Sequence, residues 1–162
     1  MFRFTPALIL LLALVPGVVA AQQAKIAFGG LKQDTSLPVE VEADSLAVNQ
    51  ADGTATFSGN VLVGQGELRL SAGTVRVEYA TDGKRIARLH ASGGVTLANA
   101  GNAAEAREAV YTIDSGNVVM TGNVLLTQGS SAISGQKLII DLKAGTGVME
   151  GRVSTVFVPG GN

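Results

Sequence analysis

The chain has 162 residues with 12 Lys+Arg against 13 Asp+Glu, a formal charge of −1, so it is sized for one domain and lacks the basic surplus of a nucleic-acid binder. No Cys and a single His exclude disulfides, thiolate metal centres and thiol catalysis, and leave little for a His-built triad. Hydrophobic residues at 46% with 15% charged exclude disorder, and 21 Gly, well above the ordinary share of about 7%, suit many short strands joined by tight turns.

Met1 to Thr5 carries one positive charge, Ala7 to Val15 is an unbroken apolar run, Pro16-Gly17 breaks it, and Val18 and Ala20 fit the −3 and −1 positions of a cleavage site. This is the order of a secretory leader, residues 1–20. The alternative is a membrane anchor, but Pro6 to Ala21 is 16 residues, short of the roughly 20 needed to span a bilayer. Residues 21–37 are small and polar without a sustained period and read as a loose lead-in.

From Pro38 the period is two. Val39/Val41, Leu46/Val48, Ala55/Phe57, Val61/Val63, Leu68/Leu70 and Val75/Val77/Tyr79 alternate with polar neighbours, which predicts strands with one buried and one wet face. Turns are expected at Ala51-Asp52-Gly53, Gly64-Gln65-Gly66, Thr81-Asp82-Gly83 and Ser92-Gly93-Gly94. Asn102 to Glu108 has helical propensity for only about two turns, and the alternation Ala109, Tyr111, Ile113 directly after it favours a strand. The segment Ser58-Gly59-Asn60-Val61-Leu62-Val63-Gly64-Gln65-Gly66 returns 63 residues later as Thr121-Gly122-Asn123-Val124-Leu125-Leu126-Thr127-Gln128-Gly129, with weaker echoes at Gly93-Gly94-Val95 and Gly151-Arg152-Val153. Regular spacing near 30 residues predicts stacked repeat units, each covered by its neighbours. The fold expected is all-β: an elongated antiparallel sandwich or roll over 38–159 with a short tail, 160–162. Its end strands leave edges that either pair with a partner or tuck against the roll's own sheet. Val39 and Val41 lie on the first and Val156 and Val158 on the last, which is uncharged.

No constellation for catalysis emerges. His90 lacks a partner pattern and is expected to face solvent. Glu40 and Glu42 share one strand face, conceivable as a glycosidase pair but ordinary for an exposed edge. Gly64-Gln65-Gly66 lacks the third Gly and the following helix of a phosphate loop. Lys84, Arg85 and Arg88 form the main basic cluster, suited to anionic head groups or to a solvated strand face. The aliphatic interior, with Phe57, Tyr79 and Tyr111 as its aromatics, suits either a plain core or acyl chains held between sheets, at about 0.8 kcal/mol per buried CH2. Neither a metal nor a cofactor is expected.

Val39-Glu40-Val41-Glu42-Ala43-Asp44-Ser45-Leu46, then Ala55-Thr56-Phe57-Ser58-Gly59-Asn60-Val61, then Val119-Met120-Thr121-Gly122-Asn123-Val124 and the ending Arg152 to Pro159 resemble the OstA-like family of lipopolysaccharide transport proteins. The resemblance spans Pro38 to Pro159. It implies a twisted, V-shaped β-jellyroll that holds the lipid A acyl chains inside. Such rolls stack head to tail as a periplasmic bridge between an LptC-like inner-membrane protein and an LptD-like outer-membrane protein, without being enzymes. It places lipid contacts at Thr35, Val39 and Val41 at the entrance and at Leu97, Tyr111 and Ile113 inside. Phe57 joins them from the inward list. Three alternatives stand beside this reading: an LptC-like anchored component, a self-associating structural repeat without ligand, and a glycan hydrolase.

Overall fold

The computed structural model describes residues 24–27 and 31–158. The proposed leader over 1–20, Pro159 and the tail lie outside the described residues. Among the described residues thirteen strands pair into one sheet, every pairing antiparallel: β1 (Ala24–Ala27), β2 (Glu40–Glu42), β3 (Ser45–Asn49), β4 (Thr54–Gln65), β5 (Leu68–Tyr79), β6 (Ile86–Ser92), β7 (Val95–Asn99), β8 (Asn102–Ala106), β9 (Glu108–Thr112), β10 (Asn117–Gln128), β11 (Ser131–Asp141), β12 (Thr146–Glu150) and β13 (Ser154–Val156).

Four long strands organise the sheet. Each of β4, β5, β10 and β11 pairs with one set of neighbours in its first half and another in its second. The sheet therefore folds into two walls. The order β2-β4-β5-β7-β8-β10-β11-β13 makes one, and β3-β4-β5-β6-β9-β10-β11-β12-β1 the other. The 63-residue repeat is visible in these elements: the bounds of β4 recur as those of β10, and those of β3 as β9.

The fold line is a row of corners written by Gly-rich pairs. The β4–β5 register shifts between Ser58 and Val61, and the β10–β11 register between Thr121 and Val124. At these breaks Gly59 (φ 80°) and Gly122 (φ 88°) precede Asn60 (φ 46°) and Asn123 (φ 49°). Gly takes such a φ freely, and Asn tolerates the left-handed region better than most residues. The corners stack on one another: Asp44 N–H donates to the Gly59 carbonyl at 2.9 Å, and Arg107 N–H to the Gly122 carbonyl at 3.0 Å. A Cβ at Gly122 would sit 2.9 Å from Arg107 Cβ, so the neighbouring turn of chain already fills that space.

Between the walls lies an aliphatic core. Val75, Leu89, Val118, Met120, Leu126, Leu138 and Ile140 are fully buried, each contributing roughly 1.5–3 kcal/mol. Period-two alternation explains it, as in the β5 run Leu68, Leu70 and Ala72 inward against Arg69 and Ser71 outward. The stretch Asn102 to Glu108 is strand on both sides of a break at Arg107. Several sequence expectations need correction. The lead-in is partly ordered structure: Ala24–Ala27 is β1, paired with β12, and Leu31 is buried. Leu46 and Val48 are exposed, because β3 is an edge strand with β4 on one side only. Tyr79 ends β5 and is 42% exposed rather than inward. The turn expected at Gly64-Gln65-Gly66 is displaced to Gly66-Glu67, leaving Gln65 at the buried end of β4.

Candidate functional site

The two walls converge at the corners. On the opposite side, where the hairpin turns lie, a strap made of residues 31–38 runs across the opening. Gln33 N–H donates to the Leu142 carbonyl at 2.8 Å, at the β11–β12 turn of one wall. Gln33 Nε2 donates to the Gln65 carbonyl at 2.6 Å, at the β4–β5 turn of the other. Gln65 is 2% exposed. Its Nε2 donates to the carbonyls of Thr35 (3.0 Å) and Leu37 (2.9 Å), and its Oε1 accepts from Tyr111 Oη at 2.6 Å. Both amide hydrogens and the amide oxygen are thus used, as burial requires. Burial pushes the Tyr111 phenol up to about 12, so it remains a donor at physiological pH. Ser36 donates its hydroxyl and its N–H to Asp34, holding that carboxyl below its ordinary value.

An open cleft of about 570 Å³ lies where the strap passes the hairpin turns. Thr35, Leu37, Pro38 and Val39 line it from the strap side, Lys84, Arg85 and Ile86 from the β5–β6 turn, Ile113 and Asp114 from the β9–β10 turn, and Lys143 from the β11–β12 turn. Its lining combines apolar Leu37, Pro38, Val39, Ile86 and Ile113 with the cations Lys84, Arg85 and Lys143 and the carboxylate of Asp114. Arg85 pairs with Asp114 at 3.2 Å and Asp82 at 3.6 Å. Lys143 Nζ donates to the Asp114 carbonyl.

The residues singled out in the sequence fall into three places. Thr35, Val39 and Ile113 meet at this cleft. Leu97 and Tyr111 are 1% and 2% exposed between the walls. Val41 and Phe57 are half-buried against the core beside the β2–β3 edge. The basic cluster divides: Lys84 and Arg85 border the cleft, whereas Arg88 lies on the outer face, 3.6 Å from Glu78. His90, expected in solvent, is 31% exposed and 3.0 Å from the same Glu78, which also pairs with Arg76 at 3.0 Å. Cross-strand neighbours on β5 and β6 bring these four together. Glu40 and Glu42 are exposed on β2 beside Arg69, along a second surface cleft. Val156 and Val158 are 60% and 55% exposed, with Phe157 between them at 73%. β13 covers only Ser154–Val156 and pairs with β11 on one side.

Sequence reasoning missed Gln65, Leu31 and Lys143. A Gln between two glycines reads as turn punctuation, and its burial depends on carbonyls 28 and 30 residues upstream.

Comparison with known proteins agrees with this architecture. Residues 40–146 match the family model described as LptA/(LptD N-terminal domain) LPS transport protein. The lipopolysaccharide export system protein LptA of Escherichia coli K12 is 31% identical over 158 residues, spanning 91% of this chain and 84% of that one. LptH of Pseudomonas aeruginosa is 33% identical over 72 residues, 44% of this chain and 41% of that one. The crystal structure of Pseudomonas aeruginosa LptH, the LptA-homologous periplasmic component of the conserved lipopolysaccharide transport device, superposes with a TM-score of 0.70 at 21% identity. It covers 78% of this chain and 99% of that one, and establishes likeness of fold. The family model and the LptA relative together make the chain a member of the LptA/LptD N-terminal domain family of lipopolysaccharide transport proteins.

Proposed function

We propose that this chain is a periplasmic lipopolysaccharide carrier that holds lipid A acyl chains between its two walls and stacks end to end with similar rolls. The observation that carries the reading is the interior: an aliphatic core between walls joined at the corners, whose opposite side is bridged by the strap, not by a strand ladder. Acyl chains gain about 0.8 kcal/mol per buried CH2 without a specific polar contact, so they can slide. Thr35, Val39 and Ile113 would meet the lipid at the cleft, Val41 and Phe57 beside the β2–β3 edge, and Leu97 and Tyr111 between the walls. The cations Lys84, Arg85 and Lys143 at the cleft suit the phosphates of an anionic head group left outside. The exposed edges β2/β3 and β13 suit strand addition to an LptC-like inner-membrane protein, an LptD-like outer-membrane protein or another copy. The leader, cut after Ala20, would deliver the chain to the periplasm.

The test is export of the full chain in a Gram-negative host with a photoreactive residue at Leu97, Tyr111 or Ile113 in turn, and at exposed Thr127 as control. Crosslinking to lipopolysaccharide from Leu97, Tyr111 and Ile113 and not from Thr127 is expected. Equal labelling at all four, or none, refutes the interior as the lipid site. Val156→Pro removes a ladder donor at the last edge and should weaken self-association in sedimentation while circular dichroism stays unchanged. Undiminished association refutes the edge contact.

A further inference from the structure

The two ends of the folded sheet follow one plan. At the first, three-residue β2 and five-residue β3 both flank β4 and are joined by Ala43-Asp44. At the second, five-residue β12 and three-residue β13 both flank β11 and are joined through Gly151 to Val153. Laid antiparallel, β2 meets β13 and β3 meets β12, corner against corner, each strand facing one of its own length. Leu46 (55% exposed) and Val48 (63%) on β3, and Val156 (60%) and Phe157 (73%) at the other end, mark both edges with apolar side chains. The ends differ in one respect. Among the described strands β2, β3 and β13 each have a single neighbour, whereas β12 has β11 on one side and β1 on the other, from Ala24↔Met149 to Ala27↔Thr146.

We propose that β1 is a removable occupant of the β12 edge, and that β3 of a second copy of this chain takes its place when copies join. The inference rests on the end-to-end stacking proposed above and adds what gates it. Without β1 the second end is level, since β12 and β13 both sit one strand beyond β11. With β1 in place one wall is longer by one strand, about 4.8 Å, and the other is not. An incoming β2–β3 edge that pairs with β13 then collides with β1, and one that pairs with β1 leaves β13 bare. Both walls continue into the next copy only after β1 leaves. The exchange trades the four residue pairs of β1 for the five residues of β3 and adds the three of β2. Opposing it, β1 is tethered to its own β12 and competes at a high effective concentration. An isolated copy is thereby held back, and joining begins where partner edges are concentrated.

Two variants of the full chain test this. Lys25 and Val148 are Cα partners, and the chain has no native Cys, so Lys25→Cys/Val148→Cys ties β1 to β12 by one disulfide, verified by mass. Lys25→Pro/Ile26→Pro removes two adjacent ladder donors from β1. Sedimentation across a concentration series, with circular dichroism and melting as fold controls, reads the outcome. The oxidised pair should stay monomeric where its reduced form associates, and the double Pro variant should associate about tenfold more tightly than the native chain, the equivalent of roughly 1.4 kcal/mol. Equal association of oxidised and reduced forms overturns the exchange and leaves stacking intact. Failure of the two cysteines to join in the monomer overturns it also, because β1 is then not on β12. Absence of association in every form overturns the stacking reading and the exchange with it.

Discussion

Gln65→Ala is the sharpest perturbation of the site. The change removes three side-chain hydrogen bonds, to the carbonyls of Thr35 and Leu37 and from Tyr111 Oη, each contributing a net of about 1 kcal/mol. The Tyr111 hydroxyl, within a residue that is 2% exposed, loses its acceptor, which costs roughly 1–3 kcal/mol. The two strap carbonyls recover water as the strap lifts, so their share shrinks. The expected loss is about 2–4 kcal/mol, or roughly 6–12 °C in Tm, read by urea and thermal unfolding. Tyr111→Phe alone should cost about 1–2 kcal/mol, because Gln65 Oε1 stays buried without a donor. The double variant should fall short of the sum by at least about 0.5 kcal/mol. Native-state hydrogen exchange supplies the local readout: the Gln33 amide, bonded to the Leu142 carbonyl, should exchange at least about tenfold faster in Gln65→Ala, the effect of weakening the strap by roughly 1.4 kcal/mol. Strict additivity together with an unchanged Gln33 amide refutes the account of Gln65 as the clamp of the strap.

Phe57→Ala should cost under about 3 kcal/mol, below the usual 3–5 for a fully buried ring, because Phe57 is only half-buried; lipid co-purifying with the variant should drop, and a full-core loss with unchanged lipid would make it a plain core residue. Gly122→Ala should destabilise by roughly 1–3 kcal/mol in urea, since its φ of 88° suits Gly and a Cβ meets Arg107 at 2.9 Å. Tyr111 keeps its proton in the folded state up to about 12, while the unfolded chain loses it near 10. Its contribution is therefore complete below about pH 10 and falls as pH rises from about 10 to 12; Tyr111→Phe should flatten that fall in denaturation curves.

Most of the fold is legible where order is local. The period-two runs give β4 and β5, the 63-residue repeat carries them over to β10 and β11, and the Gly-Asn pairs mark the corners because a positive φ leaves a compositional trace. Legibility fails where the partner is distant. Ala24–Ala27 is too short to announce a strand, and its ladder lies more than a hundred residues away on β12. Leu46 and Val48 carry the same alternation as a buried strand, and only their place at the edge exposes them. In the candidate site, Leu97, Tyr111 and Ile113 belong to the alternating set, but the grouping of Thr35 and Val39 with Lys84, Arg85 and Lys143 depends on how the strap crosses three hairpin turns.

The recurrence of β4 as β10 also makes the molecule a ruler. From one to the other the sheet advances four strand steps in either wall, through β5, β7 and β8 or through β5, β6 and β9, about 19 Å at ~4.8 Å per step. Because the corner conformation is restored at the end of that advance, a further 63-residue unit could be inserted without altering either terminal edge. Reach is therefore a countable property of this architecture: lengthening a span requires only duplication of sequence already compatible with its neighbours, and the two end edges, where docking is proposed, are left untouched by selection for length.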